Sequence, residues 1–322
     1  MKTGLRAAFL AALCFAAAHS SALAQTYPSK PLRIVVGFPP GGGNDIIARL
    51  VGARLSESWG QPVVIDNKPG ANAIIATEFV ARAPADGYTL LVGASGAMAV
   101  NPGLYAKLPY DAERDFAPIT MMGSFPLLLV VHPGVAATSV KDLIALARAK
   151  PGALSYSSGS TPFQLAAELF KLRTGTQMNF IPYKGSAQAI NAVMSGDVAL
   201  TFVDSTPVVA QVRAGRLRAL AVTSPRRSAA LPELPTMAEA GLPDSEVVLW
   251  SSLFAPAGTP PAIVSRLSAE VARIVQLPDV KEKMQALGTD PVGNTPAELA
   301  AIVRADIAKW GAVIRSAGIK AE

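Results

Sequence analysis

The sequence predicts an α/β protein folded as two lobes around mostly parallel sheets, and three observations carry that expectation. Short β-branched runs alternate with longer stretches of helical periodicity from Leu32 onward. About 300 residues with 50% hydrophobic composition follow an N-terminal leader, enough for two ordinary cores. Two irregular, proline-rich crossings bracket one complete middle block, as when one lobe is inserted into another.

The leader comes first. Lys2 and Arg6 make a basic start, residues 5–18 an apolar run, and Ala22-Leu23-Ala24 before Gln25 a small-x-small cleavage site. That run is shorter than the roughly 20 residues that span a bilayer, and no later stretch reaches that length, so the mature chain is expected to be soluble and exported to the periplasm. Cys14 lies in mid-run behind bulky Leu13, which disfavours lipidation. Cleavage after Ala24 removes this single cysteine and with it any disulfide or cysteine metal site. Setting aside Lys2 and Arg6 from 29 basic residues leaves 27 against 23 acidic ones, a scattered excess of +4. This is no nucleic-acid footprint, though it mildly favours anionic ligands.

Residues 32–36 read as a strand, 46–59 as a helix, 63–65 as a strand, 73–83 as a helix and 89–92 as a strand, a βαβαβ unit. Residues 101–125 lack a sustained period and read as a connection. The middle block follows, with strands at 127–131, 154–156, 199–203 and 219–222 and helices at 140–149, 163–172, 187–194 and 206–214. Residues 224–245 are again irregular, and Val247-Val248-Leu249-Trp250 resumes strand character before two last helices. The division is residues 25–124 and 248–322 for lobe 1 and 125–247 for lobe 2. Thr161-Pro162, Thr259-Pro260 and Thr295-Pro296 each offer a capping hydroxyl and a first-turn proline, and Glu298 adds a capping box to the last.

Three strand-to-helix turns could carry chemistry. Phe38-Pro39-Pro40-Gly41-Gly42-Gly43-Asn44-Asp45 lets backbone approach a ligand at a helix N-terminus, where free N–H groups and the dipole favour an anion. Its spacing fits neither a dinucleotide fingerprint nor a P-loop, and a plain tight turn is the competing reading. Ser157-Ser158-Gly159-Ser160-Thr161 concentrates hydroxyls at another helix start, beyond what capping by Thr161 requires. Tyr183-Lys184-Gly185-Ser186 and Asp204-Ser205 would add an aromatic wall and two charges, unless Lys184 is merely solvated and Asp204 merely a cap. Ser95, just past the third strand, joins the candidates. Catalysis lacks a constellation: His132 is the lone histidine after the leader, no nucleophile-elbow spacing occurs, and no metal or cofactor motif is present.

The Phe38 to Asp45 motif, Asp66-Asn67-Lys68-Pro69-Gly70-Ala71, Ala85-Asp86-Gly87-Tyr88-Thr89-Leu90 and Tyr183-Lys184-Gly185 together resemble the Bug family, the solute receptors of tripartite tricarboxylate transporters. The likeness continues through Arg213-Ala214-Gly215, Leu234-Pro235-Thr236, Glu239-Ala240-Gly241 and Ala255-Pro256-Ala257-Gly258-Thr259-Pro260, over essentially the whole mature chain. It implies a type II periplasmic-binding-protein fold, with a ligand cleft between two lobes. One carboxylate would be held by backbone amides, hydroxyls and ordered waters, without a cofactor. By position, Phe38, Pro39, Gly42, Gly43, Asn44, Asp45 and Ser95 would serve lobe 1, and Ser157, Ser158, Gly159, Ser160, Thr161, Tyr183, Lys184, Gly185, Asp204 and Ser205 lobe 2. Many relatives carry histidine where Gln164 stands; glutamine keeps both hydrogen-bonding functions but takes up no proton near neutral pH.

The resemblance implies a carboxylate receptor served by membrane transporter subunits; the sequence offers no basis for an oligomer, so a monomer is expected. A periplasmic sensor feeding a membrane signalling protein remains an alternative, and a carboxylate-ester hydrolase depending on His132 is a third.

Overall fold

The computed structural model describes residues 27–317, so the leader and its cleavage site lie outside the described residues. Along the chain, β1 (Leu32–Val36), α1 (Gly43–Trp59), β2 (Val63–Asn67), α2 (Ile74–Ala81) and β3 (Thr89–Ala94) form the first βαβαβ unit. A π-helical turn at Gly96–Val100 leads into the short α3 (Asn101–Leu104), and the long β4 (Phe116–Val131) crosses to the second lobe. There follow α4 (Val140–Ala149), β5 (Ser155–Ser158), α5 (Thr161–Thr174), β6 (Asn179–Pro182), α6 (Ser186–Met194), β7 (Leu200–Asp204), α7 (Ser205–Arg213) and β8 (Arg218–Val222). The chain returns along β9 (Val248–Pro256), and α8 (Pro261–Val275), α9 (Pro278–Ala286), β10 (Asp290–Pro291) and α10 (Pro296–Ala317) complete the first lobe.

The first sheet runs β2-β1-β3-β9-β4-β10, its first three strands parallel and the rest antiparallel. The second runs β6-β5-β7-β4-β8, with β5, β6 and β7 parallel. β4 belongs to both: residues up to Pro126 pair with β9, and from Leu127 they pair with β7 and β8. The central strands are apolar on both faces because helices cover both sides of each sheet. The helices obey their periodicity: α4 buries Val140, Leu143 and Ala147, and Ser139 Oγ accepts from the Asp142 amide at 3.1 Å.

Several expectations need correction. Residues 101–125 are not one connection, since 101–104 are helical and β4 begins at Phe116. β4 was illegible because it is buried on both faces, interrupted by Pro118, Gly123 and Pro126, and bulged in three places. β6 went unread because it is a short, exposed edge strand. Three helices, not two, follow β9. The first two proline-marked starts are offset by one residue: Ser160, not Thr161, precedes α5, and Pro260 precedes α8 while Thr259 Oγ1 donates to the Pro256 carbonyl. Thr295 and Glu298 form the expected capping box, each backbone N–H donating to the other's side chain. No helix among the described residues is long and apolar enough to cross a membrane.

Candidate functional site

The turns after β1, β3, β5 and β6 all leave the carboxyl ends of parallel strands, the edge at which open α/β sheets form their crevices. Between the lobes they line one narrow chamber. The first lobe contributes Phe38, Pro39, Gly42, Gly43 and Asn44 from the β1–α1 turn and Ala94, Ser95 and Gly96 after β3. The second contributes Gly159, Ser160, Pro162, Phe163 and Ser186, while Phe125, Leu249 and Trp250 on the crossing strands form the remaining wall. No lining residue is ionisable, so polarity comes from hydroxyls, one amide and backbone at the starts of α1, α5 and α6. Asn44 Oδ1 is buried there without a partner, a position that calls for a donor.

The lobes approach closely at Gly43, where a Cβ would fall 2.3 Å from Asp204 Oδ2. Within the second lobe, a Cβ on Gly159 would fall 2.3 Å from the Gly185 carbonyl carbon. Gly185 in turn packs beneath Pro39 from the opposite lobe. Asp204 is 2% exposed. Its Oδ2 accepts from the Gly43 amide at 2.7 Å and its Oδ1 from Ser186 Oγ at 2.6 Å. Burial pushes this carboxyl up from its ordinary value, opposed by those hydrogen bonds and by no charged neighbour. The first amide of α1 is therefore already satisfied by a carboxylate from the other lobe. Ser205 Oγ donates to the Gly288 carbonyl at 2.7 Å, and the Thr206 and Thr289 hydroxyls meet at 2.8 Å, adding two contacts between the same lobes.

The remaining candidates divide. Gly42, Gly43, Asn44, Phe38, Pro39, Ser95, Gly159 and Ser160 come together at the chamber. Asp45 does not: Gly41 N and Asn67 Nδ2 donate to it at 3.0 and 2.9 Å, and Arg49 pairs with it. Burial raises its carboxyl, but those bonds outweigh burial and hold it below the ordinary range. Asp45 thus shapes the turn, since Asn67 Nδ2 also donates to the Phe38 carbonyl.

Ser157 Oγ turns to the Ala189 carbonyl and Ser158 Oγ to the Ser160 carbonyl, both satisfied within the lobe. Thr161 and Gln164 sit in the first turn of α5 outside the chamber lining. Asp204 and Ser205 join the lobes without lining the chamber. Tyr183 and Lys184 line an adjoining open cleft with Gln188, Gly37, residues 69–73, Phe38, Pro39 and Gly159. Ala71, Asn72 and Ala73 hold consecutive φ values of 47°, 50° and 69° at its rim, strained for residues with side chains.

Sequence reading missed Ala94, Gly96, Phe125, Phe163, Leu249 and Trp250. Gly96 could have been found by extending the turn after β3 one residue past Ser95. Phe125, Leu249 and Trp250 carry no local signal, because their place depends on where β4 and β9 cross. His132 Nδ1 accepts from the Gly134 amide at 3.0 Å and lines neither compartment.

Residues 47–319 match the family model described as the tripartite tricarboxylate transporter family receptor. Protein BugT of Bordetella pertussis (strain Tohama I) is 40% identical over 300 residues, covering 92% of each chain. The structure of R. palustris Rpa4515 with adipate superposes with a TM-score of 0.89 at 40% identity, covering 91% of this chain and 99% of that one. The periplasmic binding protein BugD gives a TM-score of 0.88 at 31% identity, covering 92% and 100%.

Proposed function

Because this chain belongs to the tripartite tricarboxylate transporter receptor family and has its two-lobed periplasmic-binding-protein fold, we propose that it captures a small carboxylate between its lobes and delivers it to a membrane transporter of the tripartite tricarboxylate type. The observation that carries this reading is the convergence of helix starts from both lobes on one chamber that contains no ionisable side chain. Preorganised amides and hydroxyls can hold a carboxylate there without a counter-ion. The related Rpa4515, seen with adipate, supports an acid as ligand.

The anchoring groups differ from those the sequence offered first. Gly43 N–H is engaged by Asp204, so the amides next in line at α1, the Ser95 and Ser160 hydroxyls and the start of α5 do the work. Groups from both lobes can contact one ligand only when the lobes are together, and that differential affinity drives closure. The division at residues 25–124 and 248–322 against 125–247 puts the hinge at the β4–β9 crossing, beside Phe125 and Leu249. An exported, periplasmic location suits this role and the leader in the sequence.

The test is a thermal-shift screen of mature protein, unfolded and refolded to strip ligand, against aliphatic, aromatic and amino carboxylic acids. A rise in melting temperature with one chemical group of acids supports the reading. No rise with any acid removes the carboxylate claim and leaves the fold standing. For delivery, cells lacking the chain should lose uptake of the acid so identified; unchanged uptake would favour a sensing role.

A further inference from the structure

The last helix, α10, packs on the first lobe through Leu299, Val303, Trp310 and Ile314, buried residues whose spacing places them on one helix face. Asp306 falls on that same stripe, between Val303 and Trp310, where packing alone calls for an apolar side chain. It forms no ion pair among the described residues. Instead, its Oδ2 accepts from the indole Nε1–H of Trp250 at 2.7 Å. Trp250 is 3% exposed and stands in the chamber wall on β9. An indole has a single polar atom, so this one bond satisfies the whole side chain.

Trp250 is tied a second time through its backbone. The pairing of Ser251 with Ala94 brings Trp250 opposite Ser95, and the Trp250 amide donates to Ser95 Oγ in a long contact of 3.4 Å. Ser95 is buried and lines the chamber. A hydroxyl that accepts from an amide still has its own proton to give, and Ser95 gives it to no protein group among the described residues. α10 also braces the segment that follows Ser95. It packs on the π-helical turn at Gly96–Val100, and a Cβ on Gly103 would fall 3.0 Å from the Gly311 Cα.

From this chain of contacts we infer that Asp306, which lines no part of the chamber, is a positioning residue: it holds Trp250 by the indole, and Trp250 holds Ser95 with its proton free for the bound carboxylate. The inference rests on the receptor reading above and deepens it, because it makes an outer helix set the affinity of the inner site. An acceptor at position 306 is what the arrangement requires, since a buried indole N–H without one turns toward another partner and carries the wall with it.

The experiment compares the wild type with Asp306→Asn, Asp306→Leu, Ser95→Ala and the combined Ser95→Ala and Asp306→Leu variant. Each is titrated calorimetrically with succinate, glutarate, benzoate and glutamate, and the indole N–H signals are followed by NMR. Asparagine keeps an acceptor oxygen, whereas leucine suits both the helix and its apolar stripe but accepts nothing, so packing and positioning are separated. Asp306→Leu should displace the Trp250 indole signal and weaken the tightest-binding acid about three- to tenfold, while Asp306→Asn stays within about twofold of the wild type. In Ser95→Ala the leucine should add little, because the proton it positions is gone. An unmoved indole signal, equal losses with asparagine and leucine, or full additivity with Ser95→Ala overturns this assignment and leaves the receptor reading standing. A wild type that binds none of the four acids overturns the carboxylate reading and this role with it.

Discussion

Asp45, in the first turn of α1, and Asp204, the last residue of β7, both stand where a strand gives way to a helix, yet they do opposite things. Asp45 is 3% exposed but stands within one lobe beside a guanidinium that reaches solvent, and it is held below the ordinary carboxylate range. Asp204 is as little exposed but lies deeper in the protein, has no cation, reaches a backbone amide 161 residues away in the other lobe, and is pushed above that range. Surface exposure alone therefore says little about a carboxylate. The first acid builds a turn; the second joins two lobes, and its desolvation is offset only by Gly43 N–H, Ser186 Oγ and its own amide.

The largest effect should come from Asp204→Ala, which leaves the Gly43 amide and the Ser186 hydroxyl buried without an acceptor and should cost about 3 kcal/mol or more. Denaturant unfolding measures the loss, and small-angle scattering should show a more open molecule. Asp204→Asn is the control: its oxygen can accept from Gly43 and its amide donate to Ser186, so about 1 kcal/mol or less is expected. Equal losses in the two variants would break the contrast. Gly43→Ala attacks the same contact from the other side, and its Cβ should cost about 2 kcal/mol. Combined with Asp204→Ala it should be clearly less than additive, and full additivity would mean the contact does not couple the lobes.

Asp45→Ala should cost about 1–2 kcal/mol, confined to the first lobe, because Arg49 is half exposed and solvent makes up part of what is lost. Scattering should therefore show no opening in that variant. The smallest effect is in pH. A carboxyl raised in the folded state binds more protons there than in the unfolded chain, so its contribution falls as pH rises from the ordinary carboxylate value through the raised one. For Asp45 the sign is reversed, and stability is lost as pH falls through its lowered value. Melting temperatures of the wild type and Asp204→Asn across that range should diverge in favour of the variant as pH rises. Parallel curves would mean Asp204 titrates as an ordinary acid.

Local signals made much of this legible. The alternation of strands and helices, the βαβαβ unit and the capping box at Thr295 and Glu298 depend on side-chain periodicity and short-range bonding, which a sequence displays directly. The glycine-rich turn after β1 was readable as a place where backbone approaches something closely. What it approaches first is Asp204, not a ligand. The serine run after β5 shows the same limit: four hydroxyls stand within five positions, and Ser160 alone of them lines the chamber. A hydroxyl's direction depends on rotamers and on carbonyls brought near by other strands, such as that of Ala189 for Ser157.

The sequence by itself determined the α/β class, the order of most elements and the strand-to-helix turns at which a chamber could form, because each of those follows from hydrophobic period, turn residues and caps within a few positions. Only the tertiary structure decided that β4 serves both sheets, that Phe125, Leu249 and Trp250 wall the chamber, that Asp204 engages the start of α1, and that Lys184 faces a separate cleft. Those outcomes rest on contacts between residues far apart in the chain, whose distances are set by strand crossing and lobe approach, and no local propensity encodes them.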